Sequence, residues 1–137
     1  MFSFSLGGTD ETSKVIFGSY DLKRFSDNNS NLDWIKLVDD QYWTIGIARA
    51  KLGNYVFDLD TSQAIIDTGT SYILMPPNDF AEFKKVIEPG RNCYIDTSSG
   101  LFTCSCYTST HADFPDFHIT LGENSYYTIP STSYMQR

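Results

Sequence analysis

No apolar run in this sequence comes near the roughly 18 residues that a membrane-spanning helix requires, so a membrane partner is not expected. Positive charge is also scarce: 10 Lys and Arg stand against 17 Asp and Glu, for a formal net charge of -7. Such a surface repels phosphate backbones and anionic lipid, which argues against nucleic acid and membrane surfaces as partners. It is compatible with work in an acidic compartment. At the front, Phe2-Ser3-Phe4-Ser5-Leu6 alternates apolar and polar side chains. A charged leader with an apolar core behind it is missing, and the chain is expected to begin inside a sheet. Cysteine is sparse and odd in number, with Cys93, Cys104 and Cys106. In an oxidising compartment one of these lacks a partner within the chain. Cys104-Ser105-Cys106 also lacks the two-residue spacer of thioredoxin-type redox sites. There is no Gly-rich phosphate loop, and neither His accompanies a nucleophile elbow. His111, Asp113, Asp116 and His118 follow Cys104 and Cys106, but in a spacing that fits no familiar zinc pattern. No metal and no cofactor are expected.

What is present is an ordered β protein. Hydrophobic residues make up 41% and aromatics 15%, too many for a disordered chain, and 137 residues are the length of one domain. Short β-like runs are separated by turn residues. They are expected at Phe2–Leu6, Lys14–Phe17, Leu32–Val38, Tyr42–Ile47, Tyr55–Phe57, Ala64–Ile66, Cys93–Ile95, Leu101–Tyr107, Phe117–Leu121 and Tyr126–Ile129. Turns are expected at Gly7-Gly8-Thr9-Asp10 and Ser98-Ser99-Gly100, and a polar loop at Arg24–Asn31. That loop holds Asn28-Asn29-Ser30, so Asn28 is a glycosylation candidate. One helix is expected after Pro76-Pro77, with Asn78 as its cap and Asp79 at its positive end. Phe80, Phe83, Val86 and Ile87 have helical spacing, and Pro89-Gly90 ends the run.

The most informative stretch is Asp67-Thr68-Gly69-Thr70-Ser71. The wholly apolar Ala64-Ile65-Ile66 is read as a buried strand that delivers the Asp67 carboxylate to a tight turn. Gly69 allows the backbone to bend and come close to a bound group. The hydroxyls of Thr68, Thr70 and Ser71 can orient and hold the ionised carboxylate. The bare tripeptide Asp-Thr-Gly is frequent, whereas the five-residue form with an apolar approach is rarer. This stretch resembles the active-site loop in the C-terminal lobe of pepsin-like aspartic peptidases. The resemblance continues in order along the chain. It takes in Phe2–Leu6, Val15-Ile16-Phe17-Gly18-Ser19-Tyr20-Asp21 (with Ser19 where the family has a second Gly), Leu32-Asp33-Trp34-Ile35, Tyr42-Trp43-Thr44-Ile45, Phe114–Ile119, and Tyr126–Pro130 with Tyr134.

The resemblance implies a mainly β fold, one lobe of the pepsin-like double-β-barrel, with one short helix after the active-site loop. Residues 1–137 would be a partial C-terminal lobe. It implies aspartic-type endopeptidase chemistry, in which two Asp side chains share a proton and activate a water. Asp67 would be one of the pair. Thr68 would cross to its counterpart loop, Gly69 would offer backbone to the substrate, and Thr70 would hydrogen-bond Asp67. Tyr42 and Ile65 fall where the family lines pockets for the leaving side of the peptide. The partners implied are a polypeptide substrate and either an N-terminal lobe or a second copy of the chain. A secreted or lysosome/vacuole-like acidic compartment is implied for the parent protein.

The second Asp-Thr-Gly, the flap hairpin and the closing apolar-apolar-Gly strand of the family are not found between Met1 and Arg137. A non-catalytic half-lobe, acting as a binding module or an inactive fragment, is therefore the alternative. Cys93 would pair with Cys104 or Cys106, leaving the third thiol for a cysteine beyond Arg137. A lobe without its closing strand exposes a sheet edge. The isolated chain is accordingly expected to aggregate on size-exclusion chromatography, and a monodisperse, cooperatively unfolding product would count against this.

Overall fold

One long strand organises most of the molecule. In the computed structural model, which describes residues 1–7, 12–21, 32–105 and 111–136, strand β3 runs Thr44–Leu52. Two other strands precede it: β1 (Phe2–Ser5) and β2 (Lys14–Phe17). After it come β4 (Tyr55–Val56), β5 (Gln63–Ile65), helix α1 (Pro77–Ile87), β6 (Cys93–Ile95), β7 (Phe102–Cys104), a single 3-10 turn (His111–Asp113), β8 (Phe117–Leu121), β9 (Ser125–Ile129) and the short helix α2 (Ser131–Tyr134). The chain is thus mainly β, with a helix directly after the Asp67 loop, as expected for one lobe of the pepsin-like fold. The second helix, α2, was not anticipated. Two units can be distinguished, Met1–Trp34 and Ile35–Arg137.

The first unit is the β1–β2 hairpin, antiparallel from Phe2↔Phe17 to Ser5↔Lys14. Gly18 N–H donates to Met1 C=O at 2.9 Å beyond the last pair. Most of its expected tip, and the Arg24–Asn31 loop with Asn28, lie outside the described residues.

In the second unit, the order β4-β3-β8-β9 forms a sheet, and β5 pairs with the first half of β3. β3 divides its labour along its length. Thr44, Ile45 and Gly46 pair with Ile65, Ala64 and Gln63 of β5, whereas Arg49 to Leu52 pair with Thr120 to Phe117 of β8. The register shifts between Ile47 and Arg49. Such a bulge bends a strand and lets it serve two neighbours on different planes. Beyond the shift the alternation is strict. Ala50 and Leu52 point into the core with Phe117, and Arg49 and Lys51 point away.

The core consists of Ala50, Leu52, Phe57, Ile87, Phe114 and Phe117. Helix α1 closes it with the predicted stripe: Ile87 is fully buried, and Phe83 and Val86 pack beside it. Phe80 and Phe83 meet Phe102 edge to face at 5.3 and 6.5 Å, which fixes the β6–β7 hairpin against the helix. Cys93 and Cys104 are register partners in that hairpin and form a disulfide. Cys106, with the end of the expected Leu101–Tyr107 strand, lies outside the described residues. The hairpin tip is built as expected around Ser98-Ser99-Gly100. Asp96 accepts from the hydroxyls of Ser99 and Ser98 and from both backbone amides, which holds its carboxyl down at about 2. Gly53, in the turn from β3 to β4, has φ of 58°, and a Cβ there would lie 2.9 Å from Pro115 Cβ. Only glycine meets both conditions.

Two expectations need correction. Leu32–Val38 is not a strand: among the described residues its ladder contact is an isolated bridge from Leu37 to Ile45. From Ile35 on, the segment packs beside the sheet without joining it, and Ile35 lies 3.1 Å from where a Gly122 Cβ would sit. Asn78 does not cap α1, which starts with Pro77 and carries no side-chain cap. The cap position falls on Pro76, which has no side-chain acceptor, and Asn78 lies one residue inside the helix, past the point from which a side chain caps its amides. Asn78 instead donates through Nδ2 to the Asp60 carboxylate.

Asp79 sits in the first turn as expected, but it is only 2% exposed and accepts from the backbone amides of Asp60 at 2.7 Å and Thr61 at 3.3 Å. The helix thereby grips the segment that leads into β5. Stability measured by chemical denaturation is expected to fall by about 2–5 kcal/mol for Leu52→Ala, from lost burial plus the cavity left behind. Asp79→Ala is expected to cost about 1–3 kcal/mol, because it strands the two amides it served.

Candidate active site

Asp67 stands two residues beyond the last β5 position, and its placement follows from the β3–β5 register. Past the Thr44↔Ile65 pair, Ile66 N–H donates to Trp43 C=O at 2.9 Å. This bond leaves Tyr42 and Asp67 as the next residues on either side. The fold therefore brings together two stretches that the sequence analysis singled out separately, Tyr42-Trp43 and Ile65-Ile66-Asp67. Upstream, Ile47 N–H donates to Ser62 C=O at 2.8 Å, so β5 is anchored at both ends.

The carboxylate is held by its own loop. Gly69 N–H donates to Oδ1 at 2.8 Å, and Thr70 Oγ1 donates to Oδ2 at 2.5 Å. Among the described residues each oxygen has one donor, so the group is oriented with acceptor capacity to spare. The Thr70 hydroxyl first, and then the Gly69 amide, hold its carboxyl below the usual carboxylate range, against a small opposing effect of desolvation. Gly69 does not take the left-handed φ that a sharp bend would demand. Its absent side chain matters in another way: a Cβ would sit 3.2 Å from Asp67 Oδ1. Thr68 and Ser71 were also expected to hold the carboxylate. Among the described residues their hydroxyls make no hydrogen bond, and both side chains are exposed.

The approach strand is not buried as expected. Ile65 is 55% exposed and Tyr42 62% exposed. Tyr72, Ile73 and Leu74, which follow the loop in the chain, are exposed as well. Apolar composition alone could not tell a strand buried within this chain from one open to a further surface. Among the described residues no three His, Cys, Asp or Glu side chains converge as a metal site would require.

Chemically, the arrangement is a fixed anionic carboxylate at an open apolar surface. A carboxylate with a depressed pKa is by itself a weak base for activating water. Facing a second carboxylate it would share a proton, because two like charges at contact distance do not both ionise easily. Sequence reasoning did not find Asp79 as part of this assembly. The signal available was an Asp in the first turn of the helix that follows the loop, and the dipole argument already accounted for it.

A family model described as eukaryotic aspartyl protease matches residues 1–137. Among individual relatives, the chain is 31% identical to Pepsin A of Suncus murinus over 137 residues, covering 98% of this chain and 33% of that protein. It is 31% identical to Cathepsin E of Mus musculus over 124 residues, 90% of this chain and 28% of that protein. With Plasmepsin VIII of Plasmodium berghei (strain Anka) it shares 33% identity over 94 residues, 64% of this chain and 25% of that protein. The chain thus spans between a quarter and a third of the length of these relatives.

Thr70→Val is expected to raise the Asp67 carboxyl pKa toward its ordinary value, since it removes the stronger of the two donors to the charged form. Carbon-detected NMR titration of the Asp67 side chain reads this directly, and an unchanged midpoint would refute the assignment of Thr70 as its main stabiliser.

Proposed function

The chain belongs to the eukaryotic aspartyl protease family, and on that premise we propose that it acts as the C-terminal lobe of an aspartic-type endopeptidase. The observation that carries this reading is the Asp67 carboxylate, anchored through both oxygens by Thr70 and Gly69 at the end of β5. In this reading Asp67 is one of two catalytic carboxylates. The second comes from an N-terminal lobe or from a second copy of the chain. One carboxylate of the pair removes a proton from water, and the resulting hydroxide attacks the peptide carbonyl. The other protonates the carbonyl oxygen. Collapse of the tetrahedral intermediate breaks the C–N bond as the nitrogen takes up a proton.

Thr68, with its free hydroxyl, is the residue that crosses to the partner loop. Gly69 offers backbone to the substrate and Thr70 orients Asp67, with Ser71 as the last residue of the supporting loop. Tyr42 and Ile65 line pockets for bulky apolar side chains, a role that suits their exposure beside the loop. The substrate class is polypeptide. The Cys93–Cys104 disulfide supports a secreted or lysosome/vacuole-like location, and Asn28 is a glycosylation candidate consistent with it.

A second reading, a non-catalytic lobe that binds another protein surface, is favoured by the exposed apolar side chains around the loop, with Leu74 at 80% and Ile65 at 55%. One assay separates the two. Cleavage of a denatured protein at acidic pH is measured for the protein with a complete pair of carboxylates and for this chain alone, each as wild type, as Asp67→Asn, and with a pepstatin-type transition-state mimic. Asp67→Asn is expected to lower kcat in the complete protein by a factor of about 10²–10⁴, the span of general acid–base catalysis. Cleavage that Asp67→Asn leaves unchanged would sink the catalytic reading. Activity of the chain alone that both controls abolish would assign the second carboxylate to another copy.

A further inference from the structure

The outward face of the β4-β3-β8-β9 sheet carries a charge opposite to that of the molecule. Strand alternation puts Ala50, Leu52 and Phe117 into the core and turns Arg49, Lys51 and His118 outward. The antiparallel register then gathers them: Lys51 lies opposite His118, and Arg49 lies opposite Thr120. Next to them on β9, Tyr126 lies opposite Thr120. Together with Asn54 these side chains line a concavity of about 330 Å³. The chain has a formal charge of -7 with only 10 Lys and Arg, so two of them in adjacent outward positions of one strand depart from the average surface.

Among the described residues these cations are also not neutralised. Among the described residues the one ion pair is Lys85 with Glu82, and no carboxylate pairs with Arg49 or Lys51. Their surroundings are instead rigid and aromatic. The His118 ring stacks on Tyr126 with centroids 5.5 Å apart and planes at 16°. His118 Nδ1 lies 3.0 Å from Thr128 Oγ1, which fixes the ring's rotation. Lys51 Nζ sits 5.8 Å from the Tyr126 ring centre. Lys51 beside the Tyr126 face, and the fixed His118–Tyr126 platform, have less conformational freedom to lose on binding than free surface side chains do.

We propose that this sheet face is a docking site for a short acidic peptide segment, whose carboxylates pair with Arg49 and Lys51 and whose backbone lies against the His118–Tyr126 stack. A short segment is the occupant that the charge distribution favours. A long polyanion such as nucleic acid, or an extended anionic membrane, would reach past the patch into the repulsive field of the acidic remainder. That field decays over about 8 Å at physiological ionic strength, so a segment confined to the concavity largely escapes it. The site is independent of the Asp67 loop and of the peptidase reading.

The test uses the 137-residue chain and a fluorescein-labelled hexaglutamate peptide, with hexaglutamine as the uncharged control. Fluorescence anisotropy is read at physiological ionic strength, about 150 mM, where the field of the acidic remainder decays over about 8 Å. Binding of hexaglutamate and not of hexaglutamine is expected. It should weaken by about tenfold or more in the Arg49→Ala/Lys51→Ala double variant and persist in Lys36→Ala/Lys84→Ala, which removes the same charge elsewhere. Circular dichroism checks that both doubles remain folded. In the unmodified chain, NMR shifts of the His118 and Tyr126 rings on peptide titration give a readout that needs no variant. The proposal is overturned if hexaglutamate does not bind, if both doubles lose affinity equally, if those ring signals do not move, or if a short DNA duplex or phosphatidylserine vesicle binds more tightly.

Discussion

The backbone pairing of β3 is the constraint on which the second unit depends. Nine residues, Thr44–Leu52, serve β4, β5 and β8 in turn. Its first half, through β5, decides where Asp67 stands. Its second half, through β8, decides which side chains become core and which become the outward basic face. The irregularity between Ile47 and Arg49 separates the two tasks. A slip of one residue would turn Arg49 and Lys51 inward and Ala50 and Leu52 outward, so the burial of Leu52 at 1% exposure also protects the register of the Asp67 strand.

Helix α1 adds a second hold on the same strand. Asp79 is buried at the start of the helix and accepts from the amides of Asp60 and Thr61, just ahead of β5. The strand that carries Asp67 is thus fixed laterally by β3 and at its approach by the helix that follows the loop. The carboxylate itself is held within its loop by Thr70 and Gly69.

Several carboxylates are held by neutral donors. Asp67 has Thr70 and Gly69, Asp96 has Ser99 and Ser98, and Asp116 accepts from Ser131 N–H at 3.1 Å. Glu82 differs, held down first by Lys85 and then by Tyr55. Asp67, Asp96 and Glu82 all have carboxyls below their ordinary range. For a depressed carboxyl, the contribution to stability is present above the unfolded value and is lost as pH falls through the folded one. For Asp96 that window runs from about 4 down to about 2, so its tip stays ionised in moderately acidic surroundings. Tyr134, where α2 ends, shows the opposite effect. Burial, with the nearby negative charge of Asp116, pushes its phenol up to about 12, so it stays protonated and donates to the Pro115 carbonyl.

Local pattern carried much of this protein. The Lys14–Phe17 and Phe117–Leu121 strands, the helical stripe ending at Ile87 and the Asp96–Gly100 hairpin tip all follow from spacing and turn chemistry within a few residues. The Asp67 loop is likewise legible, because its donors lie two and three residues away. What local pattern misjudged shares one cause. Leu32–Val38 alternates like a strand, yet among the described residues it pairs only through the Leu37–Ile45 bridge. Asn78 looks like a cap, yet Asp60, eighteen residues earlier, takes its amide. Ala64-Ile65-Ile66 looks buried, yet half of the Ile65 surface stays open. Fold class, the helix and the Gly69 and Thr70 donors to Asp67 were legible from short-range geometry, whereas Thr68 and Ser71, read as further donors, make no hydrogen bond to it among the described residues. The tertiary structure alone decided that Asp79 would grip the approach to Asp67 and that Arg49, Lys51 and His118 would share one face. Both depend on pairings between segments distant in the chain, where register is set by the packing of the whole core.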